Sequence, residues 1–283
     1  MMRALAAGVA ALTVVAAPLP AQRIAAERID AAEFRYAGDL IQGGLIRGSV
    51  PAGTVSLTLD GERVGIENGR FVAGFDRDAG GIAMLVATMA DGRRVTDMLT
   101  IAKRDWTISR LSRLPKYPVP SAAFQRVRPG ELARIVAARA QVTDAAGWRQ
   151  DFAWPVTGRI STRFGSQRIY ANGEAGSYHS GIDIARGTGT TVVAPADGVV
   201  ILATTSPFLL EGNLVMLDHG MGLNSAFLHL SRIDVTAGDH VRQGEPIGQV
   251  GSTGRATGPH LHWSMRWHDA KLDPLLVAGP MGK

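Results

Sequence analysis

The sequence predicts a mainly β protein built from short strands. Glycine is abundant, at 34 of 283 residues, whereas aromatic residues make up only 6%, and this mixture favours turn-rich β structure over long helical bundles. Short apolar runs with a period of two recur along the chain, and dipeptides typical of tight turns separate them. The length suits one large or two modest domains, and we expect four segments with the boundaries given below.

Residues 1–21 have the layout of a secretory signal peptide. A short positive segment ends at Arg3, an apolar stretch runs from Ala4 to Val15, and small residues with prolines follow, so cleavage is expected after Ala21 or Ala17. The apolar stretch is shorter than the ~20 residues that span a bilayer, which makes an uncleaved anchor or a buried helix a weaker alternative. We therefore expect a periplasmic or secreted protein with no stable membrane insertion after signal cleavage.

Residues 22–110 are predicted to form a small antiparallel β-sandwich domain. The alternating segment from Val55 to Leu59 runs into the tight-turn dipeptide Asp60-Gly61, and Asn68-Gly69 and Asp91-Gly92 are two further dipeptides of this kind. This part of the sequence has no histidine. We therefore expect it to be a spacer or a packing partner rather than an active site.

Residues 111–150 are predicted to form a linker that contains a helix. Three prolines up to Pro120 oppose regular structure. The segment from Gly130 to Ala140 is rich in helix-forming residues, and this helix is expected to bridge the two domains. Four of its side chains are spaced for one face: Leu132, Ile135, Val136 and Arg139.

Residues 151–283 are predicted to form a second β domain. The segment has no glycine-rich phosphate loop, and the whole chain has no cysteine, which excludes a disulfide framework and cysteine-ligated zinc. The net charge of +5 is compatible with attraction to an anionic polymer such as cell wall. No clustered basic stretch with interleaved aromatics appears, so a nucleic-acid partner is not expected.

All seven histidines lie after residue 178, and this clustering indicates metal or acid–base chemistry. His260 and His262 lie on one face of an alternating strand whose other face is apolar, through Leu261 and Trp263. Because the apolar face must be the core face, the two histidines point together into a groove that solvent can reach. Such a pair suits a metal ligand beside a catalytic or supporting imidazole, and the spacing alone leaves open which is the ligand.

His179 and Asp183 lie four residues apart in a glycine-rich segment that disfavours a helix. In extended chain an even separation still places both on one face, but taken alone this pattern is better explained by an exposed pair in a loop. His229 lies in a predicted strand and shares a face with Phe227, where a lone histidine could be structural. Two histidines and one carboxylate would bind zinc and leave its fourth position open for water.

These motifs in this order resemble the lysostaphin-type (LytM-like) peptidases, the M23 metallopeptidase family. The resemblance covers roughly Trp154 to Pro274. It rests on the following segments: His179-x-x-x-Asp183, Leu228-His229-Leu230, Gly258-Pro259-His260-Leu261-His262, Gly158 to Gly165, Ala194 to Val200, Gly244 to Gly248 and Gly251 to Pro259.

The resemblance implies an antiparallel β-sheet groove with zinc held by His179, Asp183 and His262. It also implies that His229 and His260 are catalytic, because in the family such histidines orient and deprotonate the zinc-bound water and stabilise the tetrahedral intermediate. The implied substrate is the peptide portion of peptidoglycan.

The other polar residues of this part are expected to lie outside the catalytic set. His219 is expected to be structural, and His240 to be solvated. The tyrosine that some members use near the oxyanion is not carried over to Tyr178, since adjacent strand residues point to opposite faces. His268 is not expected to belong to the site. Arg163 and Asn213 are expected either to line the groove or to have backbone or turn roles.

The leading hypothesis is therefore a zinc endopeptidase that hydrolyses peptidoglycan cross-links or stem peptides, with a regulatory protein as a possible partner. One alternative is a non-catalytic regulator on the same fold that activates a separate cell-wall amidase, but the complete set of ligands and partner histidines argues against it. A second alternative is a wall-binding β module whose histidines are incidental. The scissile bond stays open at this point.

Overall fold

The amino-terminal strands follow from the alternation of apolar and polar residues in the sequence. A computed structural model of the protein describes residues 33–111 and 121–282, so the predicted signal peptide and the proline-rich part of the linker lie outside the described residues. Seven strands form two antiparallel sheets with the orders β1-β2-β5 and β4-β3-β6-β7 in this region. Their bounds are β1 Arg35–Gly38, β2 Leu45–Ser49, β3 Thr54–Leu59, β4 Glu62–Val64, β5 Arg70–Gly74, β6 Ile82–Met89 and β7 Arg94–Thr100.

The three predicted tight turns are confirmed. Asp60 and Gly61 connect β3 to β4 with φ angles of 51° and 90°, and Asn68 and Gly69 precede β5 with φ angles of 51° and 73°. Gly92, with φ 83°, lies in the turn between β6 and β7. Positive φ at both central residues is the geometry that matches the twist of a two-residue hairpin, and it explains the preference for Asn-Gly and Asp-Gly.

The linker helix is longer than predicted and presents a different face. The helix α1 spans Ala122–Arg139, with the Ser121 hydroxyl accepting a hydrogen bond from the Phe124 amide as its amino-terminal cap. Pro129 lies inside it, so the helix begins eight residues before the predicted start at Gly130. The predicted apolar face is wrong, because Leu132 and Val136 are exposed. Two of the buried side chains, Ile135 and Ala138, instead pack on the carboxy-terminal sheet.

The carboxy-terminal part is built mainly from one antiparallel sheet. A short strand β8, Ile108–Arg110, precedes α1 and pairs in parallel with β10. The remaining strands are β9 Arg159–Thr162, β10 Gln167–Ile169, β11 Ile182–Ala185, β12 Thr191–Val193, β13 Gly198–Ala203, β14 Asn213–Asp218, β15 Leu223–Leu230, β16 Arg232–Ile233, β17 His240–Val241, β18 Pro246–Gln249, β19 His260–Trp267 and β20 Ala270–Leu272. A 3₁₀ turn covers Gly147–Arg149, and a short helix α2 covers Pro274–Ala278.

Eight strands of the described chain form the main sheet, in the order β17-β13-β14-β15-β19-β11-β9 with β20 beside β19. A smaller sheet has the order β12-β18-β16, and its strands alternate along the chain with those of the main sheet. The mainly β fold class with antiparallel sheets is therefore confirmed. The sheet order matters for function because it places β11 and β15 on the two sides of β19, the strand that carries the histidine pair.

The two β parts share one hydrophobic core. Strand β5 is buried on both faces, and a Cβ added to Gly74 would lie 2.7 Å from the Leu272 side chain and 2.9 Å from that of Trp267. The buried apolar residues form a continuous cluster that runs from Leu45 in β2 to Leu272 in β20. No helix within the described residues is long and apolar enough to cross a membrane.

Candidate metal centre

Strand pairing places Asp183 and His262 side by side. Asp183 of β11 is directly opposite His262 of β19 in the antiparallel ladder, and Ala185 is opposite His260. Directly opposite residues of an antiparallel pair project from the same face, and His260 shares that face with His262 because they are two residues apart. The core face of β19 carries Leu261 and Trp263, both fully buried, as the alternation predicts.

His179 completes a group of three donor atoms. Its Nε2 atom lies 2.9 Å from Asp183 Oδ1 and 3.0 Å from His262 Nδ1, and His262 Nδ1 lies 2.9 Å from the same carboxylate oxygen. Ligand atoms around tetrahedral zinc are roughly 3.3 Å apart, given bonds of about 2.0–2.1 Å. Two imidazole nitrogens and a carboxylate oxygen that converge in this way fit a zinc ion.

His179 comes from the loop before β11 and is held there by the segment 163–166. Its amide donates to the Ser166 carbonyl at 2.8 Å, and its carbonyl accepts from the Gly165 amide at 2.9 Å. Its Nδ1 lies 3.3 Å from the Arg163 carbonyl. Since a carbonyl can only accept, Nδ1 carries the proton and Nε2 presents its lone pair to the centre. The sequence placed Arg163 near the groove, and it is the backbone of this residue that contacts His179.

His229 reaches the centre by a route that strand alternation does not predict. The ladder between β15 and β19 ends at Leu228, opposite His262, and regular alternation would then point His229 into the core beside Phe227. His229 instead has a φ of 65°, a conformation that few residues other than glycine adopt. Its ring lies 4.8 Å from that of His260, between ring centres. The predicted shared face with Phe227 is therefore wrong, although the two predicted catalytic histidines are neighbours.

Both of these imidazoles are fixed in one tautomer. Nδ1 of His229 lies 2.9 Å from the Thr253 carbonyl, and Nδ1 of His260 lies 2.8 Å from the Gly258 carbonyl. Because each Nδ1 must donate to its carbonyl, each Nε2 is left as an acceptor. Nε2 of His260 lies 3.8 Å from Asp183 Oδ1, which places it at the edge of the three donor atoms.

The electrostatics keep the ligands in the states that a metal requires. Burial opposes a charge on Asp183, but the neighbouring imidazoles of His179 and His262 outweigh it and hold the pKa of this carboxyl well below its usual range. Burial lowers the pKa of His262 and lowers that of His229 to about 4. A carboxylate with neutral imidazoles is the form that binds a divalent cation.

Gly181 allows His262 to approach the loop. A Cβ at this position would lie 2.8 Å from His262 Nε2 and 2.3 Å from the Trp263 carbonyl oxygen, both closer than a carbon atom can pack. Gly181 lies between the ligands His179 and Asp183, and the close approach of β19 requires a glycine there. The sequence showed the glycine, but only the strand pairing shows what it makes room for.

The other histidines lie away from the centre. His219 is fully buried, with Nδ1 2.8 Å from the Asp197 carbonyl and Nε2 2.8 Å from the Ser225 hydroxyl. His240 is exposed on β17. His268 lies in the turn after β19 with its ring against Trp267. Asn213 donates from its side chain to the Leu230 carbonyl, which is a structural role.

Three contacts around His229 were not predicted from the sequence. The amide of His229 donates to the Glu211 carbonyl at 2.8 Å. The Glu211 carboxylate in turn accepts two hydrogen bonds from Arg128 of α1, at 2.6 and 2.7 Å, and Arg128 also contacts Glu131 at 3.1 Å. The Thr253 carbonyl is the third contact. No motif could reveal backbone carbonyls as partners, because every residue has one.

Tyr178 points away from the metal centre, as the sequence analysis expected. Its hydroxyl donates to Asp76 at 3.4 Å, so its side chain contacts the amino-terminal part of the chain. Burial and the Asp76 carboxylate raise the pKa of this phenol.

Comparison with known proteins agrees with this geometry. Residues 177–274 match the model of the family described as Peptidase family M23. Peptidoglycan DD-endopeptidase ShyA of Vibrio cholerae is 40% identical over 107 residues, which are 38% of this chain and 24% of that protein. DD-carboxypeptidase/endopeptidase Mpg of Neisseria meningitidis is 43% identical over 122 residues, or 43% of this chain and 27% of that protein. The matches thus span about a quarter of the length of these relatives.

A solved structure extends the similarity beyond that segment. The crystal structure of a Pseudomonas aeruginosa protein described as peptidase M23 has a TM-score of 0.66 and 29% sequence identity to this chain. It matches 85% of this chain and 96% of its own. Because residues 177–274 are far less than 85% of the chain, the similarity also includes part of the amino-terminal region.

Proposed function

We propose, on the basis of the match of residues 177–274 to peptidase family M23, that the protein is a zinc-dependent endopeptidase that hydrolyses peptide bonds of peptidoglycan. The observation that carries the proposal is the convergence of three donor atoms, from His179, Asp183 and His262, beside the Nε2 atoms of two further histidines. A group of this composition suits peptide hydrolysis better than a structural metal site, because structural zinc is usually closed by four protein ligands.

In this proposal His179, Asp183 and His262 hold the zinc ion. Zinc bound by two imidazoles and one carboxylate would activate water and polarise the scissile carbonyl. His179 is oriented for this role by the Arg163 carbonyl and the backbone of segment 163–166. The side chains of the three ligands are between 11% and 19% exposed, so a substrate can reach them.

His229 and His260 would move the protons of the reaction. Their Nδ1 atoms are engaged with backbone carbonyls, so each Nε2 can accept a proton from water and return it to the leaving amine. Once protonated, the same imidazole can donate a hydrogen bond to the oxygen that gains negative charge. The low pKa of His229, about 4, favours the neutral form that accepts a proton at neutral pH.

The substrate assignment rests on the relatives and on the predicted compartment. ShyA is named a peptidoglycan DD-endopeptidase and Mpg a DD-carboxypeptidase/endopeptidase. We propose the same substrate class here, in the periplasm or outside the cell, in keeping with the signal-like residues 1–21. The alternative of a non-catalytic regulator is less favoured, because no ligand or partner histidine is missing.

Purified sacculi provide the test. We expect the protein to bind zinc and to release muropeptides with new amino and carboxyl termini, detected by mass spectrometry, and a chelator should stop the release. His262→Ala should lose both zinc and activity, whereas His240→Ala, at an exposed histidine away from the centre, should keep both. A zinc-loaded protein that releases no peptides alone but stimulates a cell-wall amidase would replace our proposal with the regulator.

A further inference from the structure

A buried arginine from the amino-terminal part of the chain reaches the loop system around His179. Arg77 lies just after β5 and is only 6% exposed. Its Nε and Nη2 atoms both donate to the Gly165 carbonyl, at 3.2 and 3.1 Å, and Nη2 also donates to the Gln167 side chain at 3.2 Å. The guanidinium therefore clamps one carbonyl with two of its donors.

The clamped residue is part of the support of a proposed metal ligand. Gly165 donates its amide to the carbonyl of His179, and the adjacent Ser166 accepts the amide of His179. One residue, Gly165, thus separates Arg77 from the backbone of His179. A shift of Gly165 would move the imidazole, because both main-chain groups of His179 are bonded to this pair.

A second path leads from the same arginine to the other side of the loop. Gln167, which accepts from Arg77, donates its amide nitrogen to the Gly176 carbonyl at 2.8 Å. Arg77 also lies under the ring of Tyr178, 4.6 Å from its centre, and the Tyr178 hydroxyl donates to Asp76. Residues 76 and 77 therefore contact both flanks of the loop that ends at His179.

Aromatic packing fixes the guanidinium in this position. The guanidinium carbon also lies 5.0 Å from the centre of the Trp106 ring, so Arg77 packs against the rings of both Trp106 and Tyr178. A Cβ at Gly165 would lie 2.1 Å from the Trp106 ring, which shows how closely the ring covers the clamped residue. The carboxylate paired with Arg77 belongs to Asp78, whose side chain is 63% exposed, so the buried donors are directed at Gly165 and Gln167 instead.

We propose that Arg77 is a positioning residue for His179, and that the amino-terminal β-sheets thereby form part of the support of the metal centre. This proposal rests on the proposed function. From the sequence we expected the amino-terminal part to be a spacer or a packing partner, and this proposal assigns it a role beyond either. A lysine could not replace Arg77, because an ammonium group cannot bond one carbonyl with two coplanar donors while packing a planar group against aromatic rings.

The test compares Arg77→Lys with Arg104→Lys. Arg104 also lies on the Trp106 ring, at 4.6 Å, and binds Asp273 and Gln42, yet it makes no contact with segment 163–166 among the described contacts. We expect Arg77→Lys to weaken zinc binding by roughly 10- to 100-fold, the range seen when outer contacts of a metal ligand are removed. Arg104→Lys should change it by less than about twofold, because Arg104 has no described contact with segment 163–166.

Zinc affinity is measured by competition with a chelating dye, and thermal unfolding without metal shows whether each variant is folded. The visible absorption spectrum of the Co²⁺-substituted protein is a further readout, since it changes with ligand geometry and a mere loss of stability would leave it unchanged. We expect an altered spectrum for Arg77→Lys and the wild-type spectrum for Arg104→Lys.

Wild-type zinc affinity and an unaltered Co²⁺ spectrum in folded Arg77→Lys would overturn the positioning role. If that variant does not fold, Arg77→Gln, which is shorter and keeps hydrogen-bond donors, is measured in the same way: a several-fold loss of affinity supports the role, and no loss overturns it. Failure of the proposed function looks different, because the wild-type protein itself would then bind no zinc or leave sacculi intact.

Discussion

The two sides of the candidate centre are built in different ways. Asp183 and His262 lie at directly opposite positions of a regular strand pair, so main-chain hydrogen bonds fix them relative to each other. His179 lies in a loop and His229 at a residue where the ladder has ended and φ is positive. Asp183 and His262, the strand side of the centre, need no side-chain support. On the loop side, His179 and His229 are each bonded to a residue that a buried or half-buried arginine from another part of the chain contacts.

We expect the strand-borne Asp183 and His262 to tolerate substitutions of neighbouring residues better than the loop-side His179 and His229 do. Arg77 supports His179 through Gly165, and Arg128 supports His229 through Glu211. A strand pair distributes its stability over many backbone bonds, so the loss of one neighbour is small. A loop has fewer such bonds, so we expect the change of one guanidinium that supports it to displace it further.

The largest effect tests whether the strand side and the loop side bind the same ion. We expect His179→Ala and His262→Ala to weaken zinc binding equally, each by more than about 100-fold, which exceeds the loss from outer contacts. Zinc titration monitored by calorimetry gives the affinities, and His240→Ala is the control. Retention of tight binding in His179→Ala would mean that the loop histidine is not a ligand and that the comparison is misplaced.

The second effect concerns the stability contributed by His219, a histidine of the core and not of the metal centre. Burial lowers the pKa of His219 from its ordinary 6.5 to about 4, so its neutral form is favoured in the folded state. The stabilisation is present above pH 6.5 and is lost as the pH falls from 6.5 through about 4, because the unfolded chain then binds the proton more readily. We expect a loss of roughly 3 kcal/mol over this range.

His219→Gln isolates that contribution. Urea unfolding at pH 7 and pH 4.5 should show a smaller acid-induced loss for the variant than for the wild-type protein, while zinc affinity at pH 7 stays unchanged. Equal acid sensitivity of the two proteins would show that other groups cause the loss.

The sequence predicted the strand side of the centre more completely than the loop side. Alternation placed His260 and His262 on one face, and the paired strands agree. It also placed His229 on the same face as Phe227, which is wrong because a single positive φ at His229 redirects its side chain. The hairpin turns were predictable from Asn-Gly and Asp-Gly for the same physical reason, since there the residue types themselves signal positive φ.

Long-range contacts were beyond prediction from the sequence. Nothing about Arg77 or Arg128 marks them among the 30 lysines and arginines of the chain, because their partners lie 88 and 83 residues away. The face of α1 was mispredicted for a related reason. Its buried face includes Glu131, which pairs with Arg128, so a charged pair occupies a position where apolar periodicity expects an aliphatic side chain.

The third effect sharpens the contrast between the two supporting arginines. Arg128→Lys breaks the two-donor contact with Glu211, at 2.6 and 2.7 Å, which we expect to displace His229 but not the metal ligands. The turnover number on sacculi or a stem-peptide substrate should fall about 10-fold, less than the full contribution of a general acid–base group, because His229 is displaced and not removed. Zinc affinity should stay within about twofold of wild type.

Arg134→Lys is the matched control for Arg128→Lys. Arg134 lies on the same helix and contacts the Phe208 ring at 4.9 Å, but it makes no described contact with Glu211. A similar fall in turnover for both variants would indicate general loosening of α1. A loss of zinc from Arg128→Lys would show that Arg128 supports the metal ligands and not only His229.

The smallest effect tests the claim that the strand side needs no side-chain support. Ser161, on the exposed edge strand β9, donates its hydroxyl to the Asp183 carbonyl at 3.3 Å, so in position it is the counterpart of Arg77 on the other side of the centre. Yet β11 is already paired on both edges, by β9 and β19, and the backbone ladder fixes Asp183 whether or not this hydroxyl is present. Ser161→Ala should therefore change zinc affinity by less than about twofold and unfolding free energy by less than about 0.5 kcal/mol, as for an ordinary surface substitution. A tenfold loss of affinity in this variant, measured beside Arg77→Lys, would show that strand-borne ligands depend on single side chains as much as loop-borne ones do.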